Sequence, residues 1–285
     1  MPSLKDLRRR IRATKSTQQI TKAMEMVAAA KLRRAQQRAQ AASPYAAKIS
    51  EMLANLANAA SELQHPLFKV RDVRCTALVL VTAERGLCGA YNTNLLRMAE
   101  QRLKAAPAGS LQLVLVGKKG REYFKRRSYP ILATYADLPA EASLDLARQL
   151  TADLTKFFMD GTVDRVEVVY THFVNAITRR ITTEVFLPVG GGQAKPEGPA
   201  RDTIFEPDAE TIFAELLPRY ATAKLYASMA DALASEHSAR MVAMGSARKN
   251  AGELVDKLTL IRNRLRQALI TREIAELVGG AEALN

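Results

Sequence analysis

The chain has 285 residues, 48% apolar and 25% charged, enough to build a core and too apolar to stay disordered. Its longest stretch without a formal charge, Ala105 to Gly117, is too short to cross a bilayer, and the Arg- and Leu-rich N-terminus reaches no apolar signal block. The net charge of +13 is concentrated at one end: residues 1–60 carry 12 basic and 3 acidic side chains, residues 61–200 carry 19 and 14, and residues 201–285 carry 11 and 12. This implies a local acidic partner rather than uniform basicity.

Residues 3–60 contain fifteen alanines, no glycine and one proline, Pro44, which predicts helix almost throughout. Pro2 suits the position ahead of the first turn. Leu4, Leu7 and Ile11, then Leu32, Ala35, Ala39, Ala42, Ala46, Ile49, Leu53, Leu56, Ala60 and Leu63, advance by threes and fours. That is a heptad seam, interrupted at Thr14, Gln18, Thr21 and Glu25. Pro44 is expected to kink or divide the helix, with Ser43 as a local cap. A continuous helix of this length spans about 85 Å, so it is expected to project from any compact domain of this mass.

The middle of the chain changes texture. Cys75 to Val81, Leu111 to Gly117 and Val163 to Tyr170 read as short aliphatic strands, and Asn92 to Lys104, Gly120 to Arg127 and Ser143 to Asp160 as helices. The alternation predicts an α/β domain with a mostly parallel, Rossmann-like sheet. Tyr129 to Tyr135 and Arg179 to Val189 supply two more strands for a five-stranded sheet, the last antiparallel after a hairpin near Asn175. Gly190 to Asp202, with three consecutive glycines and two prolines, reads as a loop leading to the C-terminal helix. No internal repeat is visible.

From Arg219 to Asn285 there is no proline. Met241, Met244, Ala247, Ala251, Leu254, Leu258, Ile261, Leu265 and Ala268 mark a second seam, weakened at Gly245 and expected to stop at Gly279-Gly280. Two such helices at opposite chain ends predict an antiparallel coiled coil. The expected organisation is an N-terminal coiled-coil helix over 1–63, an α/β domain over 70–190, a linker over 191–207 and a C-terminal coiled-coil helix over 208–285.

Sites for chemistry are weak. His65, His172 and His237 lie far apart and show no metal spacing. Gly86-Leu87-Cys88-Gly89 follows the first strand, but it lacks the third glycine of a dinucleotide fingerprint and the Lys-Ser/Thr of a P-loop. Gly117-Lys118-Lys119-Gly120 fits neither pattern, and Gly190-Gly191-Gly192 opens no helix. Tight turns are the expected role. Cys88 at a helix start has no local base, so a turn residue is favoured over a nucleophile. Cys75 and Cys88, the only thiols, suit a reducing compartment. Glu84, Asp137, Asp145 and Glu184 form no spaced pair. No cofactor, metal or catalytic residue is expected in the chain.

The basic helix says more. Lys5, Arg8, Arg12, Lys15 and Lys22 form one stripe, continued by Lys31, Arg33, Arg34 and Arg38, with few acidic residues interleaved. That imbalance favours an acidic partner over a merely solvated face. A basic coiled-coil nucleic-acid-binding protein is the competing reading, disfavoured by the absence of tryptophan and of aromatics before Tyr45. A small-molecule enzyme built on the Gly86 turn is a weaker third.

Three ordered blocks resemble the gamma subunits of F-type ATP synthases: Thr21-Lys22-Ala23-Met24-Glu25-Met26-Val27-Ala28 with Lys31 and Ser43-Pro44-Tyr45-Ala46; Arg85-Gly86-Leu87-Cys88-Gly89 with Asn92; and Ser235-Glu236-His237-Ser238-Ala239-Arg240-Met241, continued by Asn250, Leu258-Thr259-Leu260, Asn263, Arg266-Gln267-Ala268 and Ile270-Thr271. The resemblance implies a central rotor shaft whose coiled coil enters a hexamer of alpha and beta subunits. Its α/β domain would sit against the epsilon subunit and the membrane c-ring, at the cytoplasmic face of the bacterial inner membrane. Catalysis would belong to the beta subunits. It further implies that Lys22 and Met24, with the basic Arg33 and Arg34, meet an acidic loop of beta, and that Arg266, Gln267 and Thr271 hydrogen-bond to beta. Ala28, Ala29, Ala30, Ala35 and Ala39 would let the helices approach closely. Glu84, Gly245, Lys249 and Arg272 depart from the commoner family choices. The cysteine-bearing insertion of chloroplast members is absent, so thiol regulation of that type is not expected.

Overall fold

Helix α1 covers Leu4–Ala59 and helix α5 Ala209–Glu282; between them lie β1 Thr76–Val81, α2 Tyr91–Ala105, β2 Leu111–Val116, α3 Lys118–Phe124, β3 Ile131–Tyr135, α4 Leu144–Met159, β4 Arg165–Phe173 and β5 Arg179–Leu187. These come from a computed structural model that describes residues 3–59, 66–139, 141–189 and 209–282. The chain divides into two compact units, Met1–Ala28 with Met241–Asn285, and Ala29–Arg240.

In the first unit the two helices run antiparallel. A side chain added at Gly245 would meet Glu25, and one added at Gly252 would meet Gln18, so residue numbers fall along one helix as they rise along the other. Leu7, Ile11, Thr21 and Ala28 are buried from α1, and Met244, Ala251 and Val255 from α5. The seam of α1 therefore runs through Thr14, Gln18, Thr21 and Glu25 rather than breaking there. Thr21 Oγ1 turns back to donate to the Thr17 and Gln18 carbonyls. Glu25 accepts from Arg248 Nε at 2.8 Å. On α5 the buried line passes through Val255 and leaves Leu254 and Ile261 exposed, which corrects the seam read from the sequence. Polar Arg248 and small Gly252 belong to the facing side, where apolarity alone gives no signal.

The second unit is built on a sheet of order β3-β2-β1-β4-β5, parallel except for the β4–β5 pair. All six residues of β1 are buried. Ala77, Val79 and Val81 face one core with Leu150, Leu154 and Phe158 of α4 and Leu217, Leu225 and Met229 of α5. Leu78 and Leu80 face the other, with Leu95 and Leu96 of α2 and Phe124 beyond them. A central parallel strand covered on both faces reads as one apolar run, which is why Thr76–Val81 was legible. Ser143 caps α4 by accepting from Leu146 N, and Asn175 Oδ1 closes the β4–β5 hairpin by accepting from Ile177 and Thr178 N–H.

Pro44 lies inside α1 and Pro218 inside α5, and neither divides its helix. A proline forfeits its own hydrogen bond, and the alanine-rich turns on both sides of Pro44 hold the helix across the gap. The glycine pair at 279–280 does not end α5, which continues to Glu282; each glycine costs about 1 kcal/mol of propensity without forbidding the conformation. The Ser43 side chain, His65, the loop 190–202 and the linker 191–207 lie outside the described residues.

The turn from β2 into α3 has the strictest local requirement. Gly117 has φ +101°, and a Cβ there would sit 2.2 Å from the Thr82 carbonyl oxygen. Thr82 Oγ1 donates to Val116 O and accepts from Gly120 N, tying the ends of β1 and β2 to the start of α3. Gly117→Ala is expected to destabilise the chain by about 3 kcal/mol, from the positive φ together with the overlap; urea unfolding of the two chains measures it.

Candidate functional site

The residues named from the resemblance fall on two surfaces. In the first unit Lys22, Arg266, Gln267 and Thr271 are exposed and Met24 is half-buried. In the second unit Arg33 and Arg34 are exposed on α1 beside the buried Leu32 and Ala35. Of the five small residues expected to permit close approach, only Ala28 and Ala35 are buried; Ala30 is exposed, and Ala29 and Ala39 are half-buried. The matched pairs in the first unit put Leu4, the first residue of α1, level with Arg266. Beyond that level α5 has no helix beside it within its unit, and every described side chain from 266 to 278 is exposed. These include Leu269, Ile270, Ile274, Leu277 and Val278.

The second unit holds a buried polar cluster on α5. Glu236 and His237 are buried, and Arg240 Nη2 donates to Glu236 Oε1 at 2.6 Å and to the carbonyls of Arg85 and Gly86 at 3.3 and 3.2 Å. Arg240 Nη1 lies 3.3 Å from His237 Nδ1. An arginine has only donors, so Nδ1 accepts and the imidazole proton sits on Nε2. Burial, then the charges of Arg240 and Lys31, hold the His237 pKa down to about 4. Burial raises the Glu236 carboxyl, opposed by Arg240.

The loop that Arg240 grips is strained. Leu87 has φ 63° and is exposed, while Gly89 has φ 57°. Asn92 anchors its far side: Nδ2 donates to Cys88 Sγ at 3.2 Å and Oδ1 accepts from Ala83 N at 3.0 Å. Cys88 is buried and its thiol is pushed up by burial, the wrong direction for a nucleophile. It serves as a turn residue.

A family model described as ATP synthase matches residues 3–284. Full-length relatives include the ATP synthase gamma chains of Desulforamulus reducens, 47% identical over 285 residues, and Moorella thermoacetica, 46% identical over 287 residues, each with the whole of both chains covered. The chain belongs to the ATP synthase gamma-chain family. The fold agrees with the family. A chain of the Euglena gracilis mitochondrial ATP synthase (OSCP/F1/c-ring, rotational state 3) superposes with a TM-score of 0.70 at 21% identity, covering 99% of this chain and 94% of that one. One from the Tetrahymena thermophila central stalk and c-ring gives 0.64 at 23% identity, covering 80% and 99%. None of these relationships supports the nucleic-acid alternative.

Within this gamma-family chain, no described helix is long and apolar enough to cross a membrane. The Glu236-His237-Arg240 cluster was part of the resemblance but had no role in the sequence reading. Its signal was three polar residues on one helical face, indistinguishable in sequence from a solvated one.

His237 makes stability pH-dependent in a definite direction. Its folded pKa of about 4 lies below the ordinary 6.5. Between those values the unfolded chain takes up a proton that the folded chain does not. Stability from this group is therefore complete above pH 6.5 and is lost as pH falls toward 4, by about 3 kcal/mol in all. Glu236, with its carboxyl raised, acts with the opposite sign above the ordinary carboxylate range. Urea unfolding of the parent and His237→Gln across this window should show a flatter pH dependence in the variant.

Proposed function

We propose that this chain is the central rotor shaft of an F-type ATP synthase, coupling ion-driven rotation of the membrane c-ring to ATP synthesis on the beta subunits. The full-length relationship to bacterial gamma chains carries this reading. The antiparallel helix pair supports it, as does the stretch of α5 beyond the start of α1. An apolar helix surface without a neighbour in its own unit needs a cover from outside. A collar of alpha and beta subunits is such a cover. The chain itself is non-catalytic in this reading, and its glycine turns support that role. Gly117 packs its backbone against Thr82, and the Gly86 turn is held by Arg240, so both serve the fold.

The chain is peripheral to the membrane in this reading, at the cytoplasmic face of the bacterial inner membrane. Its α/β domain, over 70–190 with a linker over 191–207, meets the epsilon subunit and the c-ring. Helices over 1–63 and 208–285 form the shaft. Lys22 and Met24, with Arg33 and Arg34, face the acidic loop of beta; Arg266, Gln267 and Thr271 hydrogen-bond to beta near the other end of the paired segment. The exposure of all but the half-buried Met24 leaves them available for this.

Reconstitution with alpha and beta subunits tests the contacts. Lys22→Gln, Arg33→Gln and Arg34→Gln combined, and Gln267→Leu separately, are each expected to lower ATP turnover or coupling several-fold, since one interfacial hydrogen bond is worth about 1 kcal/mol. Unchanged turnover and coupling in both variants overturn the assignment.

A further inference from the structure

A cavity of about 210 Å³ opens in the second unit outside the carboxyl ends of β1 and β2. Val81, Val116, Leu146 and Met229 supply its apolar wall. Drug-sized ligands occupy roughly 300–1,000 Å³, so this space suits something smaller.

Its polar lining is uneven in what it leaves satisfied. Tyr91 and Thr82 spend their hydroxyls on backbone groups, at Ala232 O and at Val116 O and Gly120 N. Glu236 is paired with Arg240, Glu141 with Arg38, and Glu84 accepts from Lys118 N at 3.1 Å. Three donors remain. His237, only 5% exposed, lines the cavity and carries its proton on Nε2, which has no acceptor among the described residues. Lys31 of α1 and Arg85 after β1 line the same cavity, and neither has an ion pair among the described residues. Once the paired carboxylates are discounted, two cations without an ion pair among the described residues and the His237 Nε2–H share the cavity with a single carboxylate, Glu84.

We propose that this cavity binds a small oxyanion, a carboxylate or a phosphate, received by His237 Nε2–H and the Lys31 and Arg85 cations. The three donors come from α5, α1 and the β1–α2 loop, so a bound anion would tie these elements together. Burial, then the charges of Arg240 and Lys31, hold the His237 pKa down, which keeps the ring neutral with one N–H to donate. An anion there adds negative charge beside Lys31 and Arg85, and it gives the N–H a charged acceptor. Glu84 in the lining favours a ligand that also carries a donor, such as a protonated phosphate oxygen.

The test is titration of the full-length chain with inorganic phosphate and, separately, with malonate, following the ring nitrogens of His237 by NMR. The expected result is a saturable shift of His237 Nε2 with a Kd of about 1 mM or tighter for one of the two. Lys31→Gln and Arg85→Gln should each weaken binding about tenfold, as loss of a charge-assisted hydrogen bond would, and Lys31→Arg should restore it. Both neutralised residues are exposed, so these variants are expected to fold; circular dichroism checks that. Saturation by phosphate only, or by malonate only, identifies the anion class. A shift that does not saturate, that is unchanged in both neutral variants, or that His172 shows equally, overturns the proposal.

Discussion

Two antiparallel amphipathic helices keep their places only if some layer of their seam cannot be satisfied one heptad away. In the first unit that layer is polar. Glu25 fits over Gly245 and is held by Arg248, and Gln18 fits over Gly252, seven residues further on. Leu7 and Ile11 accept any apolar neighbour of similar size, but a slide of one heptad, about 10 Å, would move the Glu25 carboxylate away from both its space and its counter-charge. The same layer that looks like a flaw in the hydrophobic pattern is what aligns the helices. It also fixes how far α5 extends past the first residue of α1, and therefore which side chains lie beyond the paired segment.

In the second unit the corresponding constraint is the end of β1. Thr82 joins two strands and a helix through one hydroxyl, Gly117 lets the backbone pass beneath it, and the loop that follows is gripped by Arg240. Arg240 is a half-buried charge with a carboxylate, two carbonyls and an imidazole nitrogen as acceptors. That full complement is what makes burying it tolerable, because an arginine left with fewer partners in such a place would be strongly destabilising. The strained backbone at Leu87 persists because both its flanks are anchored, by Asn92 and by Arg240.

Much of this was legible in the sequence where one physical signal dominated. β1 and β2 announced themselves as continuous aliphatic runs, the hairpin by Asn175 and the helix start by Ser143, because each has a local chemical cause. Helix α1 was legible from alanine content alone. The seam of α5 was misplaced at Leu254 and Ile261 because a hydrophobic period cannot register glycine and arginine as inward-facing; their partners, Gln18 and Glu25, lie more than two hundred residues away. Pro44 and the glycine pair at 279–280 were overrated as breaks, since propensity is a weak term once neighbouring turns are strong. The polar cluster at Glu236, His237 and Arg240 was invisible as a cluster, because burial of a helical face is decided by what packs on it. At the contact surface, charge imbalance along the basic helix pointed to an acidic partner for Lys22, Arg33 and Arg34, whereas Met24, Arg266, Gln267 and Thr271 rest on likeness to the family, with no physical signal in the chain alone that selects them.

The bare stretch of α5 has a cost outside the finished assembly. Leu269, Ile270, Ile274, Leu277 and Val278 offer a ribbon of greasy surface to any newly made copy that has not met its cover. Such a copy is prone to stick to its fellows or to be taken by chaperones and proteases. Cells making this protein are therefore under pressure to synthesise it in step with whatever wraps that ribbon, and a surplus of orphan chains should be short-lived.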